Sequence, residues 1–145
     1  MIWLLRHGDA EDGSPDADRK LTAKGEEQAL ATGRALARLR VRVDACVTSP
    51  KVRARETARL ACESLGVEAS EDARLESGPF DVGEVTSGLG GEVLLVGHDP
   101  DFSMAVHRET GAQVRMSKGG IAGIDRGELK VLLRPHELQA LADSG

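Results

Sequence analysis

The chain has 145 residues and a formal net charge of −5. This length suits one hydrophobic core, so we predict a single domain over residues 1–145 and no separate lid domain. The negative charge argues against non-specific nucleic-acid binding, which rewards a basic surface. Only four apolar residues separate Met1 from Arg6, and no apolar run has membrane-spanning length. We therefore expect neither a signal peptide nor a membrane segment.

In chain order the sequence predicts strands that alternate with helices. The predicted elements are a strand over residues 2–6, a helix over 22–40, a strand over 44–48, a helix over 50–65, an edge strand over 67–69, a short helix over 80–87, a buried strand over 92–97, a helix over 99–109, strands over 120–124 and 129–133, and a helix over 135–141. This pattern predicts an α/β fold, a three-layer sandwich in which helices flank a mostly parallel central sheet. The last two strands predict a C-terminal β-hairpin that turns at Arg126-Gly127.

Several residues mark where the predicted helices begin and end. Thr22 is expected to cap the first helix. Ser49-Pro50 and Asp99-Pro100 each place a cap residue before a proline, which favours a helix with proline in its first position. Gly66 is the expected end of the helix that follows Pro50.

The two cysteines, Cys46 and Cys62, fall within a predicted strand and a predicted helix. This placement is typical of reduced, packed thiols rather than of a disulfide framework. We therefore expect a cytoplasmic protein, and we take it to be a monomer.

Charged side chains follow three predicted strands at their carboxyl ends. Arg6 and His7 end the first strand, Arg53 lies in the first turn of the helix after the second, and His98 follows the buried strand. Functional groups gather at these ends of parallel sheets, so the two arginines and two histidines should converge. Nearby helix N-termini would add N–H donors. The pattern predicts an anion site that contains a nucleophile.

Four motifs occur in order on these elements. They are Leu5-Arg6-His7-Gly8-Asp9-Ala10, Leu21-Thr22-Ala23-Lys24-Gly25, Ser49-Pro50-Lys51-Val52-Arg53-Ala54 with Thr57-Ala58, and Val96-Gly97-His98-Asp99-Pro100. Together they resemble the histidine phosphatase (phosphoglycerate-mutase-like) superfamily, over residues 2 to about 103. The short length and the Arg-His-Gly-Asp-Ala form are most similar to the SixA-type phosphohistidine phosphatases.

The resemblance implies that His7 takes the phosphoryl group onto its ring and that Arg6, Arg53 and His98 complete the catalytic set. The planar forks of Arg6 and Arg53 suit the equatorial oxygens of a phosphoryl group in transfer. His98, if protonated, would be a third cationic donor. His7 must be neutral to attack, and the guanidinium groups are expected to disfavour its protonated form.

The phosphate-binding set also includes Gly8 and Asp99. Gly8 is expected to let the backbone approach the phosphate, and helix N–H groups near Asp99 would add donors. Asp9 is expected either to orient the His7 ring or to polarise a water molecule. No metal and no cofactor are expected.

The general acid of the reaction is left open by the sequence. Many superfamily members carry a glutamate for this role, but here Ser77 aligns with it and Glu76 lies one residue early. A missing acid handicaps alkyl phosphates more than phosphohistidine, because imidazole leaves with a conjugate acid of pKa about 6.5. The acid is therefore Asp9, Glu76 or no residue, and a phosphohistidine-bearing protein is the favoured substrate.

Three other functions stay open. The first is a phosphatase for small phosphate esters on the same machinery. The second is a metal-dependent phosphohydrolase, suggested by His98-Asp99 together with His7 and Asp9. The third is a phosphate-binding module without turnover.

Overall fold

A six-stranded sheet with helices on both faces forms the computed structural model, which describes residues 1–144. The strands are β1 (Ile2–Arg6), β2 (Ala45–Thr48), β3 (Ala69–Glu71), β4 (Val93–Gly97), β5 (Ile121–Asp125) and β6 (Glu128–Leu133). The helices are α1 (Ala23–Arg38), α2 (Val52–Leu65), α3 (Val82–Thr86), α4 (Asp101–Thr110) and α5 (Pro135–Asp143). The single domain predicted over residues 1–145 extends one residue beyond the described part and stays a prediction.

The strands lie in the order β3-β2-β4-β1-β5-β6. The pairs β1–β4, β2–β4 and β2–β3 are parallel, whereas β5 and β6 are antiparallel to their neighbours and form the predicted hairpin. The predicted α/β class with a mostly parallel sheet is therefore confirmed. This order places the carboxyl ends of β2, β4 and β1 side by side, which is the edge where the predicted site lies.

The central strand β4 is buried along its whole length, as its unbroken apolar sequence predicts. Successive side chains of a strand point to opposite faces of the sheet. Leu94 and Val96 accordingly pack with residues of α1, α2 and α5, whereas Val93 and Leu95 pack with residues of α3 and α4. The two hydrophobic layers hold the strand ends in fixed positions.

Two predicted helix starts were wrong by one or two residues. Helix α2 begins at Val52 rather than Pro50, because the Ser49 hydroxyl accepts a hydrogen bond from the Lys51 N–H (3.2 Å) in a turn before the helix. Helix α4 begins at Asp101, and Pro100 is its N-cap rather than its first helical residue. In both cases the proline lies before the helix.

Other boundaries differ by similar amounts. Strand β3 covers residues 69–71 rather than 67–69, since Ala69 is the residue that pairs with Cys46 of β2. Helix α1 ends at Arg38, two residues early, because Arg40 adopts a left-handed conformation with φ of 61°. Thr22 caps α1 and Gly66 ends α2, as predicted. Within residues 1–144, no helix is both long and apolar enough to cross a membrane.

Candidate active site

The side chains predicted to converge do so above the carboxyl ends of β1, β2 and β4. His7 and His98 have ring centroids 5.3 Å apart, and Arg53 Nε lies 3.3 Å from His7 Nε2. His7, Arg53 and His98 are only 6%, 6% and 7% exposed. Three polar groups that are normally hydrated are thus gathered in a largely buried cluster. Such burial of ionisable groups is typical of functional sites.

The hydrogen bonds of His7 define which of its ring nitrogens carries the proton. Nδ1 lies 2.7 Å from the Gly8 carbonyl oxygen, which can only accept, so Nδ1 carries the hydrogen and donates it. Nε2 therefore keeps its lone pair and accepts from Arg53 Nε. The ring is fixed with its basic nitrogen facing a guanidinium group.

The charge state of His7 follows from its surroundings. Burial is the main cause that lowers the pKa of His7 to about 4; the hydrogen bond to Gly8 opposes the shift, and the charges of Arg53 and Arg6 contribute to it. The expected effect of the guanidinium groups is present, but burial is the larger cause. His7 is therefore neutral at pH 7, which is the form that can act as a nucleophile.

His98 is also neutral, which corrects the expectation of a third cationic donor. Its pKa is lowered to about 3, mainly by burial and also by a charge on His7 and by the permanent charge of Arg53. Its Nε2 lies 2.8 Å from the Ser49 hydroxyl oxygen. Because that oxygen already accepts from the Lys51 N–H, its own hydrogen is free to be donated to His98 Nε2. We assign the Ser49 hydroxyl as the donor in this contact, and with that assignment the ring hydrogen lies on Nδ1.

Two buried polar atoms of the site have no hydrogen-bond partner within residues 1–144, namely His98 Nδ1 and Arg6 Nε. Arg6 is held through its Nη1, which donates to the Met116 carbonyl oxygen at 2.8 Å. Buried donors without a partner are rare in folded proteins and call for an explanation. An acceptor-rich group bound between Arg6 and His98 would satisfy both atoms.

Gly8 is glycine for a packing reason. A Cβ atom at this position would lie 2.7 Å from the carbonyl oxygen of Gly25 in α1. The Gly8 N–H donates to the Thr57 hydroxyl at 3.1 Å in a buried contact, so it is already engaged. Packing against α1 therefore accounts for the glycine, and the expected approach of the Gly8 backbone to phosphate stays a prediction.

Asp9 does not orient His7, contrary to one of the two roles expected for it. Its carboxylate accepts from the Thr22 hydroxyl at 2.8 Å and lies 4.0 Å from Lys118 Nζ. The ring of His7 is oriented by the Gly8 carbonyl instead. The other role expected for Asp9, polarising a water molecule, is untested.

Asp99 lies beside the site but its carboxylate points to α4. It accepts from the Ser103 N–H (2.9 Å) and hydroxyl, so it caps the first turn of that helix. Glu76 and Ser77 are both exposed, and the side-chain hydrogen bonds found within residues 1–144 involve neither of them. Of the two carboxylates considered as general acid, Asp9 is hydrogen-bonded elsewhere and Glu76 is free in solvent.

Sequence reasoning missed Asp16, which contacts Arg53 from the loop between β1 and α1. Its backbone carbonyl accepts from Arg53 Nη1 at 2.9 Å, and its carboxylate accepts from Arg53 Nη2 at 3.2 Å. The same carboxylate lies 3.1 Å from both Lys51 Nζ and Arg19 Nη1. A loop aspartate carries no local sequence signal for such a contact, so only the folded chain reveals it.

The residues suggested as metal ligands do not form a cluster. Within residues 1–144, no group of three or more His, Cys, Asp or Glu side chains is arranged to hold a metal ion. The reason is local, since Asp9 is hydrogen-bonded to Thr22 and Asp99 to Ser103. The ligand set on which the metal-dependent alternative depended is therefore not assembled.

The fold and these residues define a member of a known enzyme family. A model of the histidine phosphatase superfamily (branch 1) matches residues 2–86. The chain belongs to this superfamily, as the four motifs predict.

Similar proteins agree with this assignment. An uncharacterized protein of Picosynechococcus sp. is 29% identical over 154 residues, which cover 90% of this chain and 87% of that one. The mitochondrial serine/threonine-protein phosphatase Pgam5 of Drosophila persimilis is 38% identical over 71 residues, 48% of this chain but only 25% of that protein.

Solved structures share the fold over almost the whole chain. The protein histidine phosphatase SixA complexed with tungstate superposes with a TM-score of 0.81 at 24% identity, covering 94% of this chain and 98% of SixA. The alpha-ribazole phosphatase from Shigella flexneri has a TM-score of 0.70 at 19% identity, with 92% and 96% coverage. The predicted SixA-type fold is thereby confirmed.

Proposed function

We propose that this protein is a phosphatase in which His7 Nε2 accepts the phosphoryl group of a protein phosphohistidine. The observation that carries the proposal is the fixed tautomer of His7, whose Nδ1–H is held by the Gly8 carbonyl while Nε2 keeps its lone pair. Its low pKa keeps that lone pair available at neutral pH. Membership of a phosphatase superfamily supports the same reading.

The groups around His7 suit the charge of a transferred phosphoryl group. Arg6 Nε and His98 Nδ1 are the buried donors in need of an acceptor, and Arg53 Nε already faces the attacking nitrogen. Fixed donors that face developing negative charge are the main source of catalysis in phosphoryl transfer. We assign Arg6, Arg53 and His98 to this role, with Ser49 as the residue that fixes the His98 tautomer.

The reaction has two steps on this proposal. The lone pair of His7 Nε2 attacks phosphorus, the P–N bond of the substrate breaks, and its electron pair returns to the substrate imidazole, which takes a proton. Water then attacks the phosphorus of phospho-His7, and the His7–phosphorus bond breaks to release phosphate and restore the free ring. Water is the only co-substrate in this scheme, and no step uses a cofactor.

The carboxylates near His7 are poorly suited to act as a general acid, which favours a substrate whose leaving group needs little protonation. The Asp9 carboxylate is bound to Thr22, and Glu76 is exposed. Hydrogen bonds from Arg19 and Lys51 hold the pKa of the Asp16 carboxyl well below its usual range, so it has no proton to give at neutral pH. An imidazole leaves readily without a strong acid, whereas an alkoxide does not.

A second candidate is a phosphatase of small phosphate esters. It is favoured by the shared fold with an alpha-ribazole phosphatase. The two candidates differ in the leaving group, and hence in the need for an acid. A monomeric state and a cytoplasmic location stay predictions for either one.

A panel of substrates ranked by leaving-group basicity tests the proposal. Phosphohistidine in a protein and aryl phosphates should react well, and alkyl phosphates should react slower by a factor on the order of 10² to 10⁴, the usual contribution of general acid catalysis. Glu76→Gln should leave the phosphohistidine rate unchanged. Equal rates for alkyl phosphates, lost selectively in Glu76→Gln, would replace this proposal with the small-ester function.

A further inference from the structure

Asp16 closes a cluster of positive charge next to the proposed phosphate site. Its carboxylate lies 3.1 Å from Arg19 and Lys51 and 3.2 Å from Arg53. The Arg53 side chain is only 7% exposed, whereas that of Asp16 is 53% exposed. A buried guanidinium is costly without a counter-charge. Asp16 therefore supplies that counter-charge from the solvent side of the cluster.

The contact also removes binding capacity from Arg53. Each outer nitrogen of Arg53 uses one of its two N–H groups on Asp16, one on the backbone carbonyl and one on the carboxylate, while Nε faces His7. Arg19, Lys51 and Arg53 without Asp16 would form a cationic cluster suited to a carboxylate or a second phosphate on a substrate. With Asp16 in place, such a group would have to displace an aspartate that belongs to the chain itself.

We propose that Asp16 is a specificity-determining residue that disfavours substrates carrying a second negative charge beside the transferred phosphate. The inference deepens the proposed function and rests on it. One guanidinium group separates the Asp16 carboxylate from the attacking nitrogen of His7. The leaving group of a bound substrate therefore lies close to Asp16. The distance is within the Debye length, which is about 8 to 10 Å at moderate salt, so salt does not fully screen the Asp16 charge. The preferred substrates carry a neutral or positively charged group next to the phosphate.

The size of the effect follows from Coulomb's law. At an effective dielectric constant of about 20, and with salt screening over a Debye length of about 10 Å, two unit charges about 8 Å apart change a rate or a binding constant about fivefold. This factor acts on each additional negative charge of the substrate. It also acts on inorganic phosphate, which competes with the Asp16 carboxylate for the same arginine.

Two aryl phosphates that differ in one charge test the proposal. 3-Carboxyphenyl and 3-carbamoylphenyl phosphate release phenols of similar basicity, but only the first carries an extra negative charge. The wild-type protein should favour the carbamoyl ester by about fivefold in kcat/KM. In Asp16→Asn the preference should approach one, because the rate of the carboxy ester rises more than the rate of the carbamoyl ester. An unchanged preference, or an equal loss for both esters, would overturn the proposal.

Asp18→Asn is the matched control, since Asp18 is an exposed residue of the same short turn and the charge change is identical. It should keep the wild-type preference, and circular dichroism should show that both variants are folded. Calorimetric titration with inorganic phosphate is independent of turnover, and Asp16→Asn should bind phosphate about fivefold tighter than wild type. Equal affinities would contradict the role of Asp16. An absence of His7-dependent turnover would instead refute the proposed function and leave the phosphate result to decide on Asp16.

Discussion

Acidification should destabilise the fold through His7. Burial lowers the pKa of His7 in the folded protein to about 4, whereas an unfolded chain exposes the ring at its ordinary pKa of about 6.5. Between these values the unfolded state binds more protons than the folded state. The stability due to neutral His7 is therefore complete above about pH 6.5 and falls as the pH drops toward 4. Between pH 7 and 4.5 the linkage relation gives a loss of about 2 kcal/mol in the free energy of unfolding.

Urea unfolding of the wild type and of His7→Asn at both pH values measures this loss. Asparagine keeps an N–H that can donate to the Gly8 carbonyl, but it does not titrate. His98 is present in both proteins, so the difference between them reports His7 together with its effect on the pKa of His98. The wild type should lose about 2 kcal/mol more than the variant on acidification. Equal losses in the two proteins would show that His7 is not held neutral by burial.

Three further predictions concern the groups around His7. Arg6→Ala and Arg53→Ala should each cost roughly 2 to 4 kcal/mol of transition-state stabilisation, measured as the fall in kcat/KM. A fall of less than tenfold in both variants would refute their role. Activity should survive exhaustive chelation with EDTA, because the arginines supply the charge that magnesium supplies in other phosphoryl transfers; a loss restored by a divalent ion would contradict this. Ser49→Ala should lower kcat by about 2- to 10-fold through the lost hydrogen bond, and nitrogen NMR should show His98 protonated on Nδ1 in the wild type only. The same tautomer in both proteins would exclude Ser49 as the residue that sets it.

The positions of the principal site residues could be predicted from the sequence. Arg6, His7 and His98 follow directly from strands whose apolar patterns are clear, and Arg53 follows from the helix after β2. A parallel sheet brings such strand ends together whatever the details of packing. For this reason the prediction that these residues converge was correct, although the predicted helix starts were wrong by one or two residues.

The protonation states and the loop contacts could not be predicted in this way. His98 is neutral because it is buried next to other cationic groups, and burial is known only once the chain has folded. Asp16 contacts Arg53 because the loop after β1 folds back over α2, a contact between residues 37 positions apart that no local pattern records. The close contact of Gly8 with Gly25 of α1 likewise has no signal in the sequence. Long-range side-chain contacts of this kind depend on tertiary packing.

Trapping of the phosphorylated enzyme tests the central claim most directly. The protein is mixed with a ³²P-labelled phosphohistidine protein, quenched within milliseconds and mapped by mass spectrometry. The label should lie on His7 and be labile in acid but stable in alkali, as expected of a phosphoramidate, and His7→Ala should carry no label and show no turnover. Label on an aspartate or serine, or turnover that persists in His7→Ala, would contradict the assignment of His7 as the nucleophile.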